Sequence, residues 1–290
     1  MKAPAFAYAR PQDLQQVWAL MAEHGEDARL LAGGQTLNAT LNMRLSEPHL
    51  LIDLQGIAAL KGIEVSDSVL RIGAMVTHTE IEQSALIAKH MPLLRTAVPH
   101  IAHRAIRNLG TFGGSIAYGD PAAEWPACLL ALDGVVVARS AQGERRIAAQ
   151  DFFQGLYSTD LREDELIVAC ELPLARGQAR FAFDELARRH GDYAVVGIAA
   201  TADVQGSTLR NVRVAWLGAA SQPLRSTRTE GLIEGQALSE ALITQAMQCL
   251  KDELPTEADL THSAATKSHL AAVMLKRALK TLVQDAHATA

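Results

Sequence analysis

Residues 107–124 read Arg-Asn-Leu-Gly-Thr-Phe-Gly-Gly-Ser-Ile-Ala-Tyr-Gly-Asp-Pro-Ala-Ala-Glu. Three glycines fall within residues 110–114, and a glycine has no Cβ atom to keep another group away from its backbone N–H. With the hydroxyls of Thr111 and Ser115 beside it, such a turn can hold an anion on amide donors without a lysine. The stretch therefore indicates a pyrophosphate site, although paired glycines can also serve only a tight turn.

A second glycine turn strengthens this interpretation. Residues 31–37 read Leu-Ala-Gly-Gly-Gln-Thr-Leu and follow an apolar run, so a predicted strand ends in a Gly-Gly pair with a hydroxyl next to it. Two such turns could hold one diphosphate from both sides. Neither turn has the Gly-x-Gly-x-x-Gly spacing or the Gly-Lys-Ser/Thr loop of common nucleotide sites. The predicted ligand is therefore a dinucleotide that is bound by something other than a Rossmann domain.

Charge and composition exclude several classes of protein. The 290 residues carry a formal net charge of −5, and no basic stripe offers the cations that nucleic-acid phosphates require. No apolar run approaches the ~20 residues of a membrane-spanning helix. The first residues lack the long apolar region of a secretion signal, so the expected location is the cytoplasm.

Metal and iron–sulfur binding are not expected on this chain. Cys128, Cys170 and Cys249 lie too far apart for a zinc or iron–sulfur motif, and Cys128 is expected to be a structural thiol. His100 and His103 have helical spacing, but without a third ligand they are interpreted as a solvated or core pair. Any iron–sulfur cluster must therefore lie on another chain.

Apolar periodicity divides the chain into a two-part domain over residues 1–175, with subdomains of about 1–56 and 57–175, and a C-terminal domain over 176–290. The expected fold class is α+β. The predicted helices of the first domain are 11–24, 77–83, 92–104 and 121–132, the last interrupted by a proline, and its strands are 28–32, 50–54, 62–65, 69–73, 135–139, 145–148 and 166–172. Residues 173–177 are the predicted linker. Strands 180–188, 194–204 and 208–217 predict a three-stranded antiparallel sheet, covered on one face by helices 239–251 and 263–283.

The glycine turns resemble those of a known family. Ala-Gly-Gly-Gln-Thr at residues 32–36, followed by Asn-Met-Arg-Leu at 42–45, resembles the first flavin loop of the FAD-binding medium subunits of molybdenum hydroxylases, such as carbon monoxide dehydrogenase and xanthine dehydrogenase. Thr-Phe-Gly-Gly-Ser at 111–115 resembles their second loop. The likeness continues through residues 119–127, 191–194 and 262–279. It implies a non-Rossmann FAD-binding domain of the vanillyl-alcohol-oxidase (PCMH-like) type and a C-terminal domain of the carbon monoxide dehydrogenase flavoprotein type.

The resemblance also implies which residues bind FAD. By this likeness Glu124 is an acidic group near the ribityl or adenosine hydroxyls, with Asp120 in the same neighbourhood, although Asp120 could equally cap the following helix. Leu166 would pack on the cofactor or simply in the core, and Tyr193 would lie near the isoalloxazine or be a packed strand-edge residue. The full implied set is Leu31, Ala32, Gly33, Gly34, Gln35, Thr36, Leu37, Ile101, Thr111, Phe112, Gly113, Gly114, Ser115, Asp120, Glu124, Leu166 and Tyr193.

Two further features involve charge. The guanidinium of Arg104 or Arg107 could face the diphosphate or could be a surface group. Many relatives have a lysine in the strand where this chain has Asp184 and Glu185, which leaves the tuning of the flavin open.

As a whole, the resemblance implies an oxidoreductase subunit that itself carries no catalytic residue and no metal ligand. A molybdopterin-binding large subunit would oxidise the substrate, a small subunit with [2Fe–2S] clusters would relay electrons, and FAD on this chain would pass them to an external acceptor. The expected assembly is a dimer of heterotrimers. One alternative is a free-standing FAD oxidoreductase resembling the muramate-pathway reductases, and another is a binding protein that has lost its flavin.

Overall fold

The first unit is a three-stranded parallel sheet with one long helix against it. In a computed structural model that describes residues 2–174 and 178–284, the strand order is β1-β3-β2. Helix α1 begins after Asp13, whose carboxylate accepts from the N–H of Gln16 at 2.9 Å, and ends at Gly25 with φ +49°. The elements are β1 (Ala7–Ala9), α1 (Leu14–His24), β2 (Ala28–Leu31), α2 (Leu37–Asn42) and β3 (Leu50–Asp53).

The second unit is a five-stranded antiparallel sheet in the order β4-β5-β10-β6-β7. Strand β10 lies between two hairpins and joins them into one sheet, as it pairs with β5 on one side and β6 on the other. The elements are β4 (Ile63–Ser66), β5 (Val69–Gly73), α3 (His78–Gln83), α4 (Ala85–His90), α5 (Pro92–Ala97), α6 (Arg104–Arg107), α7 (Phe112–Tyr118), α8 (Glu124–Ala131), β6 (Val135–Ser140), β7 (Gly143–Ala148), α9 (Ala149–Phe152), β8 (Phe153–Gly155), β9 (Ser158–Thr159) and β10 (Leu166–Pro173).

The single helix predicted over residues 92–104 is wrong. The chain forms α5, then a 3₁₀ turn at Val98–His100, then an extended Ile101 and an Ala102 with φ +41°, before α6 begins. Pro99 explains the break, because it has no N–H for the helical hydrogen bond and its ring clashes with the preceding turn. The break creates a loop over residues 101–103.

The C-terminal unit is an antiparallel sheet in the order β11-β12-β13-β14. The three long strands and two long helices follow the sequence prediction, but the sheet has a fourth strand of two residues, and α10 was not predicted. Both additions are too short to show a clear apolar period. The elements are β11 (Ala179–Ala187), β12 (Ala194–Gln205), β13 (Thr208–Leu217), β14 (Leu224–Arg225), α10 (Thr227–Ile233), α11 (Glu240–Glu253) and α12 (Ala264–Val283).

The second and third units share one apolar core. Helix α8, which contains the fully buried Trp125, packs across β12 and β13, and Ala199 and Leu217 of those strands belong to the same buried cluster. The hydroxyl of Thr201 donates to the carbonyl O of Ala131 at 3.1 Å across this junction. The C-terminal sheet is therefore packed directly on the unit that contains the second glycine loop.

Two sequence predictions concern the chain between these units. Strand β10 ends at Pro173, and residues 175–177 of the predicted linker lie outside the described residues. The predicted domain boundaries at 1–175 and 176–290 stay predictions. None of the helices within residues 2–174 and 178–284 combines the length and apolar character that crossing a membrane requires.

Candidate functional site

The two glycine loops contact each other. A Cβ atom added at Gly33 would lie 2.1 Å from the carbonyl O of Leu109, and one added at Gly114 would lie 3.3 Å from the Cβ of Ala32. The first loop, residues 32–37, therefore packs against the second, residues 109–115. Residues that are separated by more than seventy positions in the sequence form a single surface.

The second loop does not have the structure that the sequence indicated. It is not a turn: Thr111 is the N-cap of α7, and Gly113 and Gly114 lie in the first helical turn without a positive φ. A Cβ at Gly113 would lie 2.5 Å from the Cβ of Ala74. The glycines are thus required for close packing of protein on protein, and a larger side chain there would first displace protein atoms.

The amide donors at the start of α7 are already used within the protein. The N–H of Phe112 donates to Val76 O at 2.9 Å, and that of Gly113 donates to Ala74 O at 2.9 Å. The N–H of Gly114 donates to Thr111 Oγ1 at 3.1 Å, and that of Ser115 donates to Thr111 O at 3.1 Å. The expectation that this loop presents its amides to a diphosphate is therefore wrong for these four groups.

The first loop, in contrast, presents a run of free donors. Within the described part of the chain, the backbone N–H groups of residues 33–37 donate to no protein acceptor. Gly34 has φ +69°, a left-handed conformation that glycine adopts without strain, and it turns the chain after β2. The hydroxyls of Thr36 and Ser115 also make no hydrogen bond to a described residue. Consecutive free amides with adjacent hydroxyls are suited to binding a diphosphate.

A cavity of about 400 Å³ opens beside the two loops. Ala32 of the first loop and Thr111 of the second line it, together with the cationic side chains of Arg10 and Lys61. A second cavity, of about 350 Å³, is lined by residues between 82 and 104 and by neither loop. The cavity at the loops therefore adjoins the candidate ligand site, and its lining contains two cations, Arg10 and Lys61, and one carboxylate, Glu80.

Two predicted carboxylates lie just before and at the start of α8. Asp120 is buried, and its Oδ1 accepts from the N–H of Ala122 at 2.9 Å. It therefore closes the preceding turn and does not cap the helix, whose N-cap is Ala123. Burial, with a further contribution from Asp120, raises the pKa of Glu124 to about 7. Pro126 lies in the first turn of α8, where backbone N–H groups have no acceptor within the helix. Its lack of an N–H therefore costs no helical hydrogen bond, and the interruption predicted from the sequence does not occur.

Three tyrosines, Tyr118, Tyr157 and Tyr193, lie within electrostatic range of Asp120. Tyr193 is 65% exposed and lies within electrostatic range of Asp120, Glu124 and the other two tyrosines. The rings of Tyr118 and Tyr157 are 4.9 Å apart, and Tyr157 has φ +53°. Since Tyr193 is so exposed, the structure does not support the interpretation of it as a packed edge residue. The group forms an accessible aromatic border around an acidic region.

The remaining predicted residues support the loops or the core. Ile101 is 8% exposed, Phe112 is fully buried beside Trp125, and Leu166 is 2% exposed at the start of β10. The core interpretation of Leu166 agrees with this burial. Leu31 ends β2 two residues before the run of free amides, and Leu37 begins α2 as the last residue of that run.

Arg107 faces neither the diphosphate position nor solvent. Its guanidinium donates to the carbonyl O of Ile101 at 3.0 Å and of Ala102 at 3.3 Å, and it pairs with Glu82 at 3.3 Å. Arg104 is exposed. Arg107 therefore fixes the loop between α5 and α6, a role that the sequence did not reveal.

His78 was also missed. It is buried and its Nδ1 accepts from the indole N–H of Trp125 at 3.0 Å. A Cβ atom at Gly110 would lie 2.7 Å from its Nε2, so the imidazole packs against the second loop. Burial, with a smaller contribution from the neighbouring Arg107, lowers the pKa of His78 to about 3. Its sequence signal is weak, because one histidine in a short helix has no distinctive spacing.

The other histidines of interest show no metal geometry. The ring of His100 packs against Phe183 with centroids 5.1 Å apart, and His103 is exposed. Over residues 2–174 and 178–284, no group of three or more histidine, cysteine or acidic side chains could hold a metal ion.

Comparisons with known proteins agree with this architecture. Residues 4–175 match the family model described as the FAD binding domain in molybdopterin dehydrogenase, and residues 181–282 match the CO dehydrogenase flavoprotein C-terminal domain. The chain is 37% identical to subunit alpha of the 6-hydroxypseudooxynicotine dehydrogenase complex of Paenarthrobacter nicotinovorans, over 100% of this chain and 98% of that protein. It is 33% identical to the carbon monoxide dehydrogenase medium chain of Hydrogenophaga pseudoflava, over 96% and 97%.

Solved structures show the same relationship. A carbon monoxide dehydrogenase structure from Hydrogenophaga pseudoflava aligns with a TM-score of 0.95 and 33% identity, over 97% of this chain and 98% of that chain. Quinoline 2-oxidoreductase from Pseudomonas putida 86 aligns with a TM-score of 0.93 and 35% identity, over 98% and 99%.

These findings confirm the resemblance, the α+β fold, the oxidoreductase class and FAD as the cofactor. The free amides of the first loop and the unbonded hydroxyls at its border fit the diphosphate of that cofactor. The chain belongs to the FAD-binding medium subunits of the molybdopterin dehydrogenase family.

Proposed function

We propose that this chain is the electron-transferring flavoprotein of a heteromeric molybdenum hydroxylase. In that role the chain would hold FAD, which would supply electron transfer from [2Fe–2S] clusters on a partner subunit to an external acceptor. The observation that carries the proposal is the run of free amides at residues 33–37 in contact with the second glycine loop. Similarity to medium chains of dehydrogenase complexes over the full length supports it.

The chain's own residues bind and orient the cofactor. The N–H groups of residues 33–37 hold the diphosphate, and the hydroxyls of Thr36 and Ser115 donate to it. The second loop positions the first, because Gly33 leaves room for Leu109 and Gly114 leaves room for Ala32. FAD supplies the redox chemistry when bound, and the protein supplies binding, orientation and electrostatics.

The acidic side chains of Asp120 and Glu124 and the ring of Tyr193 belong to the part of the proposed site that does not bind the diphosphate. Asp120 and Glu124 accept from hydroxyl groups of the cofactor, and Tyr193 borders the isoalloxazine. These roles are supported by the grouping of the three side chains next to α8, which itself adjoins the second loop. An exposed tyrosine at this position can control which molecules reach the ring.

The proposed partners are a molybdopterin-binding large subunit and a small subunit with two [2Fe–2S] clusters, assembled as a dimer of heterotrimers. The names of the relatives support this arrangement, since they are medium chains or subunits of complexes. In this chain Cys128 and Cys170 are free and buried, and Cys249 lies far from both in sequence. Buried single thiols are structural and do not suit a cluster site.

Purification of the full chain tests the flavin part of the proposal. We expect yellow protein with about one FAD per chain and no activity of its own with NADPH, because the proposal assigns substrate oxidation to a partner subunit. NADPH oxidation by the isolated chain would favour the free-standing reductase, and colourless protein that FAD does not restore would favour the loss of the flavin. Native mass spectrometry after co-expression with neighbouring subunits reports the partners and their stoichiometry. Recovery of this chain alone would contradict the heteromeric assembly.

A further inference from the structure

Glu185 lies at the junction between the C-terminal sheet and α8. Side chains alternate between the two faces of a strand, and Phe181 and Phe183 of β11 pack on the core that α8 shares with the sheet. Glu185 is two residues further on and therefore faces the same way. Asp184 faces the opposite side, where its Oδ2 lies 3.5 Å from Nη1 of Arg277 on α12. Of the two adjacent acidic residues, only Glu185 faces the flavin-binding part of the chain.

The sheet brings Glu185 to the end of α8 that carries Glu124. Glu185 pairs with Gly197 on β12, which pairs in turn with Leu217 on β13. One residue beyond β13, the N–H of Gly218 donates to the carbonyl O of Pro121 at 2.8 Å, just before α8 begins. A Cβ atom added at Gly197 would lie 2.6 Å from Cδ2 of Leu217, so the buried Leu217 side chain fills the space beside this glycine, between Glu185 and the start of α8.

The thiol of Cys128 is a third group that both carboxyl groups influence. Cys128, one turn after Glu124 on α8, is fully buried. Burial raises the pKa of the Cys128 thiol, and Glu124 and Glu185 both raise it further. Residues four apart share one face of a helix, so Glu124 lies on the Cys128 side of α8, and the influence of Glu185 on the Cys128 pKa agrees with the face of β11 on which Glu185 lies.

No cation compensates these two carboxyl groups in the described chain. The Oε2 atom of Glu185 is inaccessible to solvent and has no hydrogen-bond partner among residues 2–174 and 178–284. Neither Glu124 nor Glu185 forms an ion pair there. Cations of α12 are engaged elsewhere, Arg277 with Asp184 at 3.5 Å, Lys267 with Asp259 at 2.9 Å, and Lys276 and Lys280 with Glu240.

The other titratable groups around the two carboxyls are acidic or uncharged. Asp120 lies just before α8, and Asp184 lies on the face of β11 opposite to Glu185. Tyr193 comes from the loop before β12, and His100, packed on Phe183, has a pKa that burial lowers. Two carboxylates in partial burial without a cation are unfavourable, and retention of a proton relieves that cost.

The directions of titration agree with this geometry. Burial raises the pKa of Glu185 to about 8, with further contributions from Glu124 and then Asp184. Burial likewise raises the pKa of Glu124 to about 7. Because the two groups interact, their protons leave in two steps that belong to the pair.

We propose that Glu124 and Glu185 form one ionisable pair that holds a single proton between the C-terminal sheet and α8 at neutral pH. A protonated carboxyl donates a hydrogen bond and a carboxylate does not, so the pair gives an acidic region one O–H donor. Its effect on the flavin rests on the proposed function, in which Glu124 lies beside FAD. Loss of the shared proton then adds a negative charge next to an anionic cofactor.

Thermal unfolding of the full chain without added FAD, between pH 5 and pH 9, tests the pair itself. A carboxyl whose pKa is raised by folding destabilises the fold once it ionises, so the parent should lose stability as pH rises from about 5 to about 8. Glu185→Gln should lose less over the same range. Asp184→Asn, on the other face of the same strand, is the matched control and should keep most of the loss. Equal pH dependence in the parent and Glu185→Gln would overturn the pair.

A double-mutant cycle keeps the test decisive if one variant folds poorly. Glu124→Gln should reduce the pH dependence as Glu185→Gln does. Burial still raises the pKa of the carboxyl that remains in each single variant, so the double variant should reduce the pH dependence further, but by less than the sum of the two single changes. Independent, additive reductions would contradict a coupled pair.

FAD titration at pH 6 and pH 8.5 tests the link to the cofactor. We expect the FAD dissociation constant of the parent to rise with pH and that of Glu185→Gln to rise much less. If FAD binds with the same pH dependence in both chains, the link to the cofactor is wrong. If FAD binds to neither chain at either pH, the proposed function fails, while the unfolding experiment still decides the pair.

Discussion

The hydroxyls of Thr111 and Ser115, four residues apart around the start of α7, have different partners. Thr111 Oγ1 accepts from the N–H of Gly114 and caps the helix, whereas the Ser115 hydroxyl bonds to no described residue. From the sequence both hydroxyls were predicted to flank a phosphate-binding turn. The structure assigns helix capping to the first, and the second remains free for a ligand.

Thr111→Val and Ser115→Ala should therefore affect different properties. Loss of the cap in Thr111→Val should lower the free energy of unfolding by about 1 kcal/mol. Ser115→Ala should change that free energy by less than about 0.5 kcal/mol, because no protein hydrogen bond is lost. It should nevertheless weaken FAD binding. Urea unfolding and FAD titration of both variants measure the two effects, and unchanged FAD affinity in Ser115→Ala would remove its hydroxyl from the site.

His78 should make the fold sensitive to acid. A neutral histidine whose pKa is lowered from 6.5 to about 3 stabilises the fold at neutral pH, and this contribution is lost as pH falls below 6.5, since the unfolded chain binds the proton first. His78→Phe should lose about 1–3 kcal/mol at pH 7, because the Trp125 N–H loses its acceptor, and should unfold with less pH dependence. Unfolding between pH 4 and pH 7 measures this, with the exposed His103→Gln as control. An acid sensitivity that persists in His78→Phe would assign it to another group.

At the scale of elements, the loop between α5 and α6 depends on one buried side chain. Arg107 satisfies the carbonyl groups of Ile101 and Ala102, and Ala102 has a left-handed backbone that this contact helps to hold. The loop leads directly through α6 into the glycine loop at 109–115. A helix that was predicted to be continuous is therefore broken, and the break positions the second loop.

Replacement of Arg107 should be far more harmful than replacement of Arg104. Arg107→Met leaves Glu82 and two carbonyl groups without their partner, which should lower the free energy of unfolding by about 3 kcal/mol. Arg104→Met, at an exposed position, should change it by less than about 0.5 kcal/mol. Chemical denaturation of both variants provides the comparison. Similar stability of the two variants would contradict the structural role of Arg107.

At the scale of the whole molecule, the C-terminal sheet and the second unit should unfold together. They share a core that contains Trp125 and Leu217, both fully buried. Calorimetry of the full chain should show one transition. Leu217→Ala should lower the stability of that transition by about 2–5 kcal/mol without splitting it. Leu260→Ala, at a fully exposed position, is the matched control and should have little effect. Two separate transitions would indicate that the units are independent.

The sequence by itself determined the elements with a strong local period, the long strands β12 and β13 and the helices α1 and α12, because alternation and helical spacing record which face is buried. It also indicated the family, through two short glycine motifs and three further matching segments at residues 119–127, 191–194 and 262–279. Only the tertiary structure decided that the amides of the second loop are already bonded, that Arg107 is buried, and that Glu124 and Glu185 lie at one junction. Those facts depend on which distant segments meet when the sheets assemble, and a local pattern records that a face is buried but not what covers it.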